Sequence, residues 1–144
     1  MQTSQFLRPL AGVAIVFGAL TVFSGGRALF GGAEAAAAVG NAVPFVLWFN
    51  FLAGFAYVLT GVGLWRRARW AVRAAAGLAA ATAVAAMAFG VQVMGGVAFE
   101  ARTVGALALR LVFWLVVATV AGVAMRPTAL RPQTGHAGPG ALHG

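Results

Sequence analysis

The chain of 144 residues contains no cysteine, no lysine and no aspartate, and charged residues make up only 8% of it. Each absence removes a class of chemistry. Without thiols there is no disulfide scaffold, thiolate zinc site, iron–sulfur cluster or cysteine nucleophile. Glu34 and Glu100 are the only acids, so chemistry that needs paired carboxylates has one pair to draw on. The two histidines, His136 and His143, both follow the last apolar run, which excludes bis-histidine haem ligation between helices. In a Gly/Pro-rich segment two such ligands fall short of a closed metal shell. Met87, Met94 and Met125 do not share a face, and copper would need convergent soft ligands. No Ser/His/Asp set or phosphate loop is present. The expectation is a non-enzymatic protein with no resident cofactor or metal.

What the chain does have is apolar residues, 62% of the total, with a mean hydropathy of +0.93. A soluble domain is nearer half apolar and a quarter charged. Four apolar runs stand out, at about 9–30, 42–65, 74–99 and 103–125, each close to or above the roughly 20 residues that cross a bilayer as a helix. Backbone polar groups find no water in hydrocarbon, so such runs are helices. The sequence thus predicts an all-α integral membrane four-helix bundle over residues 1–126. From Pro127 to Gly144 the composition turns to proline and glycine, which predicts a flexible cytoplasmic tail.

All ten basic residues are arginine, and the net charge is +8. They sit at the ends of the apolar runs rather than in a polar patch, so a nucleic-acid partner is not expected. Arg8, then Arg66, Arg67, Arg69 and Arg73, then Arg126 and Arg131 fall on segments that four crossings place on one side. The positive-inside rule makes that side cytoplasmic, with both termini inside. Trp65 and Trp70 bracket the Arg-rich turn in the aromatic-belt position. Arg8, the apolar stretch and Ala33-Glu34-Ala35 also have the outline of a signal peptide. Cleavage there would conflict with a cytoplasmic C-terminus.

Lipid gives helices no hydrophobic reason to associate, so small residues should mark the packing faces. Three lines of them recur at helical spacing: Ala11, Ala14, Gly18, Thr21 and Gly25; Asn50, Gly54, Tyr57 and Gly61; and Gly77, Ala81, Ala85, Ala88 and Gln92. These predict inward faces, with Phe, Leu and Val toward lipid. Counting from the outer helix ends, Asn50, Gln92 and Arg110 all lie roughly 12 to 14 Å deep. A charge such as Arg110 is costly there unless it finds acceptors, and Asn50, Gln92 and Glu100 are the candidates, with Arg102 and Arg27 nearby. The cluster reads either as a hydrogen-bonded layer that locks the helices in register or as a ligand site opening outward. Its small excess of positive charge favours an anion or a lipid headgroup. Tyr57 and Trp114 read as core packing, and Phe45, Trp48, Phe49 and Phe51 could roof a lipid or quinone pocket.

The segments SGGRALFG, GNAVPFVLWFNFLAGFAYVLTGVGLW and FEARTVGALALR resemble a group of small four-helix bacterial inner-membrane proteins, and the architecture is loosely DoxX-like. The resemblance runs from about Leu10 to Met125 and implies a multi-pass protein of the bacterial inner membrane, with Asn50, Glu100, Arg102 and Arg110 in its distinctive segments. It implies no activity. The leading expectation is a small accessory or assembly subunit bound to other membrane proteins or to copies of itself. The alternative is a small transporter or channel-like protein with an outward polar site.

Overall fold

A computed structural model describes residues 3–126; the proposed tail and both histidines lie outside them. The described chain is helical throughout: α1 Thr3–Phe30, α2 Gly32–Val39, α3 Pro44–Trp65, α4 Arg69–Met94 and α5 Ala101–Ala124. All but α2 are long and apolar enough to cross a membrane. The shortest of these, α3 with 22 residues, reaches about 33 Å at 1.5 Å per residue. The all-helical, four-span architecture expected from hydropathy is therefore present.

Local chemistry sets the helix ends. Pro44 opens α3 after an extended Val43, a position where its missing N–H costs nothing. At the other end of α3, Ala68 N–H reaches back to Gly63 O at 2.8 Å and Arg67 N–H to Leu64 O at 3.0 Å, with Arg67 at φ 55°. This left-handed cap turns the chain at once into α4, so the two helices run antiparallel. The same cap closes α4. Gly96 takes φ 87°, while Val97 N–H bonds Gln92 O at 3.1 Å. The third apolar run, expected to be helical to residue 99, therefore stops at Met94. Hydropathy continues through Val97 and Phe99, but a positive φ does not continue a helix. A short helix, α2, occupies part of the connection between α1 and α3.

The four long helices form a four-sided bundle in the order α1, α3, α4, α5, with α1 and α5 in the thinnest of the neighbouring contacts. The tightest is α1 against α3. A Cβ added at Gly54 would fall 2.9 Å from Val22 N and 3.1 Å from Gly18 O, and one at Gly61 would fall 3.0 Å from Ile15 N. Backbones this close tolerate only glycine. The small lines expected on these two helices do face inward: Ala11, Ala14, Gly18, Thr21 and Gly25 are all buried, as are Gly54, Tyr57 and Gly61. The line expected on α4 does not. Gly77, Ala81, Ala88 and Gln92 are exposed, and the buried edge is Ala71, Ala75, Ala79, Thr82, Ala85 and Phe89. Alanine surrounds this helix on all sides, so small size alone could not identify its core face. Large side chains such as Val16, Leu20, Leu59, Val84, Leu109 and Leu115 point outward, as a lipid-facing surface requires.

Candidate functional site

The thin α1–α5 contact leaves a cavity of about 500 Å³ in the half of the bundle nearest α2. Thr21, Ser24 and Arg27 line it from α1, Ala35 and Ala38 from α2, Val46 and Asn50 from α3, and Arg102, Thr103, Ala106 and Arg110 from α5. Three arginines thus line one space, and no carboxylate is among the described residues that line it.

The latch that holds this end together uses two residues expected in the cluster. Glu100 is the N-cap residue of α5, and its Oε1 accepts the N–H of Asn41 at 3.1 Å. Arg102 Nη2 donates to Ala38 O, the carbonyl near the end of α2, at 3.0 Å. These bonds tie the start of α5 to the α2–α3 connection and so fix the cavity mouth. Arg27 is exposed at the rim.

Arg110 is nine residues into α5, about 14 Å from its start. Its Nη1 donates to Ala106 O, one turn back, at 3.0 Å. Its guanidinium carbon sits 5.6 Å from the centroid of the Phe17 ring on α1, within cation–π range. The expected partners are corrected accordingly. Glu100 lies about 15 Å away along the same helix, beyond side-chain reach, and is engaged with Asn41. Gln92 is exposed, two residues from the end of α4, outside the cavity; its depth had been counted from an end that the glycine cap removes. Asn50 does share the cavity with Arg110, but its buried Oδ1 has no hydrogen-bond partner.

A deeper cluster was not expected as a site. The hydroxyl of Tyr57 faces the side chains of Thr82, Trp114 and Arg110, yet Tyr57 Oη, Trp114 Nε1 and Arg110 Nε are all buried without a hydrogen-bond partner. Tyr57 packs its ring against Phe17 at 5.8 Å and against Trp114 at 4.8 Å. The signal that could have found it is depth. Tyr57, Thr82 and Trp114 each lie 12 or 13 residues from the α2-side end of their helices, about 18 to 20 Å in. Below this layer Leu7, Leu64, Ala71, Ala75, Val117 and Ala121 close the bundle. The polar space is a pocket sealed in mid-bundle, a form suited to holding a ligand. Phe45, Trp48, Phe49 and Phe51 are absent from its walls; Trp48 and Phe51 instead join an edge-to-face chain with Phe30 and Phe55.

No family model, curated protein or solved structure matches the chain.

Proposed function

We propose that this is a multi-pass protein of the bacterial inner membrane, with both termini cytoplasmic, that binds an anionic ligand in the cavity between α1, α3 and α5. The observation that carries the reading is the convergence of Arg27, Arg102 and Arg110 on one pocket with no carboxylate in its walls. Arg110 is half-buried with only a backbone carbonyl and a ring as partners, a charge at depth that favours a counter-ion, and the acids of the described chain are placed elsewhere: Glu34 is exposed on α2 and Glu100 is held by Asn41. An outside anion supplies the missing counter-charge, and the mixture of polar and apolar residues in the walls suits an amphiphile.

The arginine distribution supports an outward-facing mouth. Reporter fusions near Glu34 should read external and those within 66–73 cytoplasmic; the reverse would turn the pocket toward the cytoplasm. Anionic lipids added to the detergent-solubilised protein should raise its melting temperature, and Arg110→Gln should weaken that binding at least about tenfold, the worth of a charged hydrogen bond. An Arg110→Gln protein that binds as well as the parent would end this reading.

A second reading, a subunit of a membrane assembly, is favoured by the outward small face of α4. Gly77 has nothing within 4 Å of its Cβ position, and a second helix could approach it closely.

A further inference from the structure

The polar groups of the cavity are sorted by direction. On the α1–α3 wall, Thr21 Oγ1 donates its proton to Phe17 O at 2.8 Å and Ser24 Oγ donates to Thr21 O at 3.3 Å. With those protons committed to the backbone, both hydroxyls offer the cavity only lone pairs. Asn50 Oδ1, buried and without a partner, adds a third acceptor on the same wall. The guanidinium groups of Arg27, Arg102 and Arg110, which line the same space, can only donate. The pocket therefore combines acceptors on α1 and α3 with positive donors on α1 and α5. A simple anion would satisfy the arginines and leave the buried Asn50 Oδ1 bare, which is unfavourable.

We infer that the ligand is a phosphate ester carrying neighbouring hydroxyl groups, of the glycerol phosphate type, with its phosphate on the arginines and its free hydroxyls donating to Asn50 and to Ser24 or Thr21. This rests on the anion-binding reading above and narrows it. Charge decides between the two kinds of donor such a head could carry. An ammonium would enter a pocket lined by three arginines and no carboxylate, and like charges repel. Hydroxyl groups donate without that repulsion. The volume, about 500 Å³, falls in the ordinary range for small-molecule pockets. The same head occurs on a membrane lipid and on a soluble ester.

Three lipids with identical acyl chains separate these features: phosphatidylglycerol, phosphatidylmethanol, which keeps the singly charged phosphodiester but lacks the hydroxyls, and phosphatidylethanolamine. Titrated into the detergent-solubilised full-length protein and read by native mass spectrometry or thermal shift, phosphatidylglycerol should bind about fivefold tighter than phosphatidylmethanol, the worth of one good hydrogen bond. Phosphatidylethanolamine should bind weakest. Asn50→Leu should remove the preference by lowering the affinity for phosphatidylglycerol, and Ser24→Ala, at an exposed position, should reduce it without threatening the fold. Free glycerol 3-phosphate distinguishes the sources: competition at similar concentration assigns the pocket to a soluble ester, and no competition assigns it to the lipid. Equal binding of phosphatidylglycerol and phosphatidylmethanol would overturn the inference while leaving the anion reading intact. No binding of either, with Arg110→Gln indistinguishable from the parent, would end both.

Discussion

The two halves of the bundle are built from the same residue types and packed to different ends. In the half nearest the Arg66–Arg73 turn, Leu7, Ala11, Leu64, Ala71, Ala75 and Ala121 are completely or almost completely buried. Among the described residues, no charged side chain belongs to that core cluster. In the half nearest α2, the helices leave a cavity whose lining includes three arginines. Small residues could have closed this half as well, because α1 and α3 already touch backbone to backbone at Gly18 and Gly54. The opening lies instead on the α1–α5 side, where Phe17 meets Phe113 at 5.2 Å and Arg110 at 5.6 Å. Bulky rings keep that pair of helices apart. The α1–α3 seam is thus the tight spine of the bundle, and the looser α1–α5 seam borders the cavity.

The comparison breaks most completely at the spine. Gly54→Leu must place a branched side chain where even a Cβ would come within 2.9 Å of Val22 N, and backbone cannot yield as a side-chain tip can. The expected loss is about 3 kcal/mol, the upper end of ordinary overpacking costs, seen as a collapse in melting temperature and in the yield of folded protein. A Gly54→Leu protein that melts like the parent would show that the α1–α3 approach is not what organises the bundle.

A middle-sized and differently shaped effect is expected at the cavity. Ala106→Phe projects a ring into the pocket from α5, at a half-buried position on its wall. Filling unoccupied space there should change the unliganded melting temperature by about 1 kcal/mol or less, while removing the stabilisation given by anionic lipid. The contrast with Gly54→Leu sharpens the comparison: a large residue is ruinous in one seam and tolerated in the other. Loss of the fold in Ala106→Phe would mean that the looser seam is packed as closely as the tight one.

The particular residues also show what a linear reading of the chain can reach. Span number followed from hydropathy, since the backbone must be satisfied inside hydrocarbon wherever the run is long enough. Depth along the helices put Asn50, Gln92 and Arg110 in one layer, and of these Asn50 and Arg110 line the same cavity. What depth does not encode is direction. Arg110 turned back to its own helix, at Ala106 O, and onto the Phe17 ring rather than across to Gln92 or Glu100. The end of α4 depended on the φ of Gly96, which an apolar average passes over. The eight-residue α2 fell below the length that hydropathy can recognise, although its Ala35, Ala38 and Val39 roof the cavity. The face of α4 was hidden by its own uniformity, alanine being equally suited to core and surface.

That uniform helix gives the smallest expected effect. Gly77 lies on the exposed side of α4, and a Cβ there would meet nothing within 4 Å. Gly77→Leu adds no clash and removes a weak helix former from a helix interior, so the unliganded protein should keep its melting temperature or gain stability by a few tenths of a kcal/mol, less than the roughly 0.8 kcal/mol seen for such changes in water. Lipid binding should be unaltered, because the position is absent from the cavity walls. If a second membrane helix packs on this face, however, its close approach is blocked by the new side chain. A complex isolated in mild detergent with the parent protein should then fall apart with Gly77→Leu although the monomer stays folded. Loss of the monomer fold would place Gly77 inside the bundle and contradict the outward orientation of this side of α4. An intact complex would leave the small face of α4 as plain lipid-facing surface and remove the subunit reading's structural support.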